Sequence, residues 1–164
     1  MSTAVAGVVY ARFGRRLLAA IVDAVFFGAT GGALLFLIYG PEYFVWLREP
    51  HGAAEMYGSA DLWVEYFLPF VLTIWMWRVY GATPGKFLLG CQVVDAQTLR
   101  HVTFRQAVLR YIGYFVSIVP LGAGFLWVLI DKRRQGFHDK LARTVVIVED
   151  ETRKSLKQLE QEAS

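Results

Sequence analysis

Leu17–Tyr39, LLAAIVDAVFFGATGGALLFLIY, is a 23-residue run whose only charge is Asp23. As a helix rising 1.5 Å per residue it is roughly 35 Å long, enough to cross a bilayer with some tilt. Gly40-Pro41 ends it, because proline cannot continue the helix. Arg12, Arg15 and Arg16 stand just before it, in the outline of a signal peptide. The run exceeds the roughly 7–15 apolar residues of such a peptide, so an uncleaved signal anchor is expected.

The composition agrees with a chain built around such runs. Of 164 residues, 55% are hydrophobic and only 19% charged, and the mean hydropathy is +0.39. Soluble domains carry nearer a quarter charged residues. The net charge of +3 comes from basic residues at the ends of apolar blocks, without a basic stripe interleaved with aromatics. That pattern fits topology anchors and excludes a nucleic-acid surface. The single cysteine, Cys91, excludes an intrachain disulfide.

A second apolar block, Leu62–Tyr80, carries Glu65 near its start, Arg78 near its end and Pro69 between them. Pro69 frees the carbonyl of Glu65 and predicts a kink. Trp63, Trp75 and Trp77 fit interfacial belts. The connection 41–61 is acidic and contains Tyr43, Phe44 and Trp46.

Thr83-Pro84 reads as an N-cap followed by proline at the first helical position, with Gly90 as the stop, which predicts a short turn lying on the membrane. Cys91–Asp95 and Leu99–Val102 flank a polar turn and predict a β-hairpin. Thr103 and Gln106 form a capping box for a helix from Phe104 to about Val119. Pro120–Gly124 interrupts it before Phe125–Ile130. A basic segment, DKRRQGFHDKLAR, a β-branched run, Thr144–Val148, and a charged tail from Glu149 follow.

The positive-inside rule places Arg12, Arg15 and Arg16 in the cytoplasm. The acidic connection 41–61 is then outside, and Lys86, Arg100 and Arg105 are inside again. A single crossing by Tyr111–Ile130 would put Lys132, Arg133, Arg134, Lys140 and Arg143 outside. A hairpin turning at Pro120 keeps this basic cluster inside, and it is the favoured reading. Thr144–Val148 can then join the 91–102 hairpin in a cytoplasmic sheet.

Asp23 is the residue that needs an explanation, since a carboxylate at mid-span costs about 2.5–3.5 kcal/mol. At 100° per residue Arg12, Arg16, Phe27 and Thr30 share its face, with Arg16 about 10 Å away along the axis. One reading is a proton or cation site. Another is a packing salt bridge with an arginine of a different helix, Arg78 or Arg110; a third is a water-exposed position near the interface. Ala20, Ala24, Gly28 and Gly32 form a small-residue ridge beside this face, suited to packing within the chain or to homodimerisation.

Gly81–Phe87 invites a P-loop comparison that fails: the glycines are one residue too close and Phe87 stands where a hydroxyl should bind magnesium. Lys86 reads instead as a lipid-headgroup anchor. His51, His101 and His138 lack metal-ligand spacing. His138-Asp139 reads as a structural contact ahead of a proton-handling pair. No nucleophile stands beside a base, so an enzyme is not expected, nor is a cofactor or metal.

Three segments in order, ARFGRRLLAAIVD, TPGKFLLGCQVVDA and DKRRQGFHDKLARTVVIV, resemble the RDD family of membrane proteins, named for one arginine and two aspartates. The resemblance covers roughly residues 8 to 148. It implies that the arginine is Arg16, with Arg15 the lesser candidate, that the first aspartate is Asp23, and that the second is Asp139 or else Asp131. Arg143 departs from the small residue, often glycine, that usually precedes the Thr-Val-Val run. The resemblance also implies a bacterial cytoplasmic membrane and transport of small ligands, cation/proton exchange included.

The expected fold is an all-α membrane protein: two transmembrane helices, a Pro/Gly-broken helical hairpin and a small cytoplasmic β-element. Residues 1–148 form the membrane domain and 149–164 a frayed or disordered tail. The expected function is proton-coupled transport of a small ligand or cation by a homo-oligomer in the bilayer. Asp23, Arg16, Asp139, Asp131 and Thr30 would serve it, with both termini cytoplasmic. The alternative is a non-transporting scaffold or assembly partner.

Overall fold

The computed structural model describes residues 7–50, 55–152, 154 and 161. His51 and most of the tail lie outside them. The chain is mostly helical, with a two-stranded sheet.

Helix α1, Phe13–Tyr39, follows the first apolar block and starts four residues earlier than it. Its buried residues are Ala19, Gly31 and Leu35. Most of its apolar surface, Val25 and Leu37 included, is exposed, as befits a helix whose solvent is lipid. The short helix α2, Glu42–Trp46, follows Pro41. Helix α3, Ser59–Val79, contains a π-helical stretch over Leu62–Phe67 immediately before the proline. The backbone lost at Pro69 is absorbed by wider turns, with Leu68 N–H donating to the Trp63 carbonyl. Helices α1 and α3 are both long and apolar enough to cross a membrane.

A tight turn at Gly81 (φ +69°) leads to α4, Pro84–Leu88, and then to β1, Cys91–Asp95. β1 pairs antiparallel with β2, Thr144–Val148, from Cys91 opposite Val148 to Asp95 opposite Thr144. The expected joining of Thr144–Val148 to this segment is thus present, whereas the expected hairpin is not completed. The second arm reduces to one bridge, Val94 to His101. Leu99 adopts a left-handed conformation (φ +56°), and Asp95 Oδ1 accepts from the backbone of Gln97 and Thr98, which tightens the turn and breaks the strand. The free edge of β2 is taken by the N-terminal segment: Ala11 N–H donates to Val146 and Val148 N–H to Val9. All five residues of β2 are buried, so its unbroken β-branched run packs on both faces.

Helix α5, Phe104–Ile118, starts at the predicted Thr103–Gln106 capping box. Gly122 (φ +80°) turns the chain into α6, Ala123–Leu126, and a 3-10 turn through Leu129; the two helical pieces are bent by 114°. The arms touch: a Cβ on Gly124 would lie 2.6 Å from the Ser117 Cα. Helix α7, Phe137–Ala142, packs on α5 at Gly113, where a Cβ would lie 2.7 Å from the His138 Cα. One core then joins Ile74 and Trp77 of α3, Val93 of β1, Ala107 of α5 and Val146 of β2. Trp77 is fully buried in it, which corrects the interfacial-belt reading; Trp63 and Trp75 remain exposed. Residues 149–152 continue as helix, and the buried Thr152 hydroxyl accepts from Val9 N–H at 3.1 Å, so the start of the tail is docked.

Candidate functional site

Arg16 and Asp23 lie on one face of α1, two turns apart, but they do not serve each other. Asp23 faces the start of α4. Its Oδ1 accepts from Gly85 N–H at 2.7 Å; its Oδ2 accepts from the Thr83 hydroxyl at 2.6 Å and from Lys86 Nζ at 3.3 Å. Lys86 Nζ also donates to Thr83 Oγ1 at 3.2 Å and lies 5.9 Å from the centre of the Trp77 ring. The sequence Thr83-Pro84-Gly85-Lys86 explains the fit. Pro84 fixes the first helical position, which aims the free N–H of Gly85 at α1. Gly85 lets the backbones meet, for a Cβ there would lie 2.1 Å from the Ala19 carbonyl oxygen. Lys86 is buried, so it points inward to Asp23 and not outward to lipid headgroups. The exposed Phe87 and Leu88 form the outer side of the turn.

Arg16 reaches the other carboxylate. Its Nη1 donates to Asp139 Oδ2 at 2.5 Å, and its Nε to the Ala11 carbonyl at 3.1 Å. Arg110 Nη1 donates to Asp139 Oδ1 and, at 2.7 Å, to the Thr144 hydroxyl. Asp139 is the third residue of α7 and also accepts from Gly136 N–H at 3.0 Å, which caps the helix. This carboxylate has no exposure at all. Burial alone would raise its pKa, but Arg110 and Arg16 beside it hold it well below the usual carboxylate range. His138 is pushed down to about 3, first by burial and then by the same two guanidiniums, against the pull of Asp139. Its ring packs against Tyr114 and Phe125, and its Nδ1 is 3.2 Å from the Ser117 hydroxyl. At neutral pH it is an uncharged packing group.

Asp131 stands apart from both centres. It pairs with Lys140 at 2.6 Å and accepts from Arg133 N–H and Gln135 N–H, closing the turn before α7. Thr30 is exposed and donates back to the Phe26 carbonyl of its own helix at 2.8 Å. Among the small residues Ala20, Ala24 and Gly28 are exposed, and neither Gly28 nor Gly32 would bring a Cβ within 4 Å of another part of the chain. Packing within the chain uses the neighbouring face, Ala19, Gly31 and Leu35. The expected partners of Asp23 are corrected in the same way: Arg78 is exposed, and Arg110 belongs to Asp139.

Four residues of these centres were not read from the sequence in these roles: Thr83, Lys86, Arg110 and Trp77. One of them carried a usable signal: Arg110 interrupts an apolar helix and so needed a buried acceptor. For Thr83 and Lys86 the signal was in their neighbour, since Gly85 beside Pro84 marked a close backbone approach. Trp77 looks like any other aromatic at the end of a span. Its ring lies between the centres, 5.9 Å from Lys86 Nζ and 5.1 Å from the Arg110 guanidinium carbon.

Relatives by sequence include an uncharacterised protein of Rickettsia prowazekii, 32% identical over 83 residues, which is 51% of this chain and 42% of that protein. The proline-rich antigen of Mycobacterium leprae is 27% identical over 94 residues, 55% of this chain and 38% of the antigen. A proline-rich antigen homolog of Mycobacterium tuberculosis is 33% identical over 67 residues, 41% of this chain and 28% of the homolog. The chain therefore spans less than half the length of each of these relatives. No solved structure gives a significant match. Arg16, Asp23, Lys86, Arg110 and Asp139 all fall within residues 10–143, the stretch that matches the RDD family model. With that match and two helices fit to cross a bilayer, the chain belongs to the RDD family and is a membrane protein.

Proposed function

We propose that this protein is a transport protein of the bacterial cytoplasmic membrane in which Asp23 exchanges its lysine partner for a proton or a small cation. The observation that carries the reading is the kind of counterion Asp23 has. Lys86 meets it as a single ammonium at 3.3 Å, next to a hydroxyl oxygen, inside an apolar helix. An ammonium is a point charge on a flexible stem and is displaced more readily than the forked guanidiniums at Asp139. A cation or proton that neutralises Asp23 releases Lys86, and with it the α4 turn that Gly85 and Thr83 hold against α1. Both termini are cytoplasmic in this reading, and the bent α5–α6 pair enters and leaves on that side. The exposed Ala20, Ala24 and Gly28 ridge supports a homo-oligomer, since a chain with two or three spans does not enclose a pathway.

The test is proton flux in proteoliposomes carrying an internal pH dye. Wild-type protein is expected to move protons when an alkali cation gradient is imposed, and Asp23→Asn to abolish the movement while eluting as folded protein. Wild-type vesicles that move no protons with any alkali cation sink the exchange reading.

A second reading, a scaffold or assembly partner, is favoured by one observation: Asp23 and Asp139 already have cationic partners, as in a structural latch. There the exposed basic residues Lys132, Lys140 and Arg143 are the working surface. Crosslinked partner proteins lost on Lys132→Glu with Arg143→Glu, and unaffected by Asp23→Asn, distinguish it.

A further inference from the structure

The surroundings of Asp139 hold more hydrogen-bond donors than acceptors. Among the described residues the buried side-chain atoms without a partner include Arg16 Nη2, Arg110 Nε and Trp77 Nε1. Each is an N–H that cannot accept. They belong to one neighbourhood: both arginines grip Asp139, and Arg110 lies over Trp77 at 5.1 Å. Arg110 and Trp77 are almost wholly buried, and the side chain of Arg16 is 11% exposed.

The charges are unbalanced in the same direction. Asp139 supplies one negative charge against two guanidiniums, while the nearby Lys86 is matched by Asp23. His138 adds none at neutral pH, because burial keeps it unprotonated. One positive charge and three orphaned N–H groups remain in a buried setting, where unpaired donors are costly and rare.

We propose that Arg16 Nη2, Arg110 Nε and Trp77 Nε1 form a binding site for one small monovalent anion, of the size of chloride or nitrate. Three N–H donors and an excess positive charge repel a cation, and a dianion would overcompensate the single excess charge. The site is separate from Asp23 and stands whether or not Asp23 exchanges ions. It also gives Trp77 a role for its indole N–H, beyond its ring.

The experiment measures the melting temperature of the purified full chain in detergent, titrating chloride or nitrate against gluconate at constant ionic strength. Chloride and nitrate are expected to raise it saturably, and the bulkier gluconate to leave it unchanged. Trp77→Phe keeps a ring beneath Arg110 and removes the N–H. It is expected to raise the half-saturating concentration about tenfold or more, the usual effect of losing a hydrogen bond to a charged group. Lys132→Gln with Arg143→Gln, on the exposed surface, is expected to leave the titration unchanged. Identical melting in all three salts overturns the proposal and leaves water as the occupant. So does an undiminished anion effect in Trp77→Phe, or its loss in the surface variant, which would mean adventitious surface binding only. If Trp77→Phe does not fold, chloride NMR line broadening on wild-type protein, reversed by nitrate, replaces it, and no broadening overturns the site.

Discussion

Asp23 and Asp139 are both carboxylates withdrawn from water, yet one is gripped by two arginines and the other by a lysine, a threonine hydroxyl and a backbone N–H. Asp139 joins α1 and α5 to the capped start of its own helix, α7, at a single point. Forked guanidiniums fix direction as well as charge, so this point behaves as a rivet. Asp23 joins only α1 and one turn of chain. Its counterion sits on a flexible stem beside the exposed Phe87 and Leu88, and the proposed function has this contact open without unfolding the core. Burial of a charge does not by itself tell a rivet from a switch; the number and geometry of its partners do.

The largest effect expected from that contrast is at Asp139. Asp139→Asn leaves two buried guanidiniums facing a neutral group, and breaking a buried pair from one side costs about 3–5 kcal/mol. Little monodisperse protein should survive detergent extraction, measured by size-exclusion chromatography. If Asp139→Asn is as stable as wild type, the rivet interpretation fails.

Gly85→Ala comes next. It touches only the Asp23 side, forcing a Cβ to within 2.1 Å of the Ala19 carbonyl. Overpacking of this kind costs about 1–3 kcal/mol. The α4 turn should lift from α1, detected as faster labelling of Lys86 by an amine reagent, with the Asp139 centre intact.

Acid should act on the Asp139 side. His138 has its folded pKa held at about 3, below the unfolded value of 6.5. The unfolded chain therefore binds the extra proton first, and stability present above 6.5 falls as pH drops, by about 1.4 kcal/mol per unit once well below it. Asp139, also depressed, adds to the loss as pH falls below its unfolded value of about 3.9. His138→Gln should flatten the slope of melting temperature between pH 6.5 and 4. An unchanged slope would show that His138 is not the group responsible.

The smallest effects test the comparison most finely. Asp23→Asn keeps a carbonyl for Gly85 N–H and lets Lys86 reach toward the interface, so it should cost only about 1 kcal/mol. A loss equal to that of Asp139→Asn would erase the distinction drawn above. Arg143 caps α7 in the left-handed conformation (φ +53°), where a non-glycine residue is strained by about 1–2 kcal/mol. Arg143→Gly should raise the melting temperature slightly, offset by the entropy glycine loses on folding.

Much of this was legible in the chain itself. Leu17–Tyr39 could only be a long apolar helix, Thr103 and Gln106 marked the start of α5, and Pro120–Gly124 marked its break. These are signals carried by neighbours in sequence, and local backbone chemistry decides them. The hairpin at 91–102 misled because its first arm is a strand but its turn is not a hairpin turn. Leu99 and the Asp95-centred bonds end the strand there, and β1 finds a partner some fifty residues later. The partner itself, the β-branched run Thr144–Val148, was legible in the sequence; that it takes the whole of β1 while the Leu99–Val102 arm keeps a single bridge was not.

The candidate centres divide in the same way. The sequence by itself determined that a carboxylate lies inside the first span, that arginines precede it on the same helical face, and that a Pro-Gly-Lys turn follows the second span. Only the tertiary structure decided that Arg16 crosses to Asp139, that Lys86 turns inward to Asp23, and that Trp77 stands between the two. The reason is physical. A helical face fixes which side chains point the same way, but an ion pair needs two atoms within about 4 Å, and that distance is set by how helices, turn and sheet pack together.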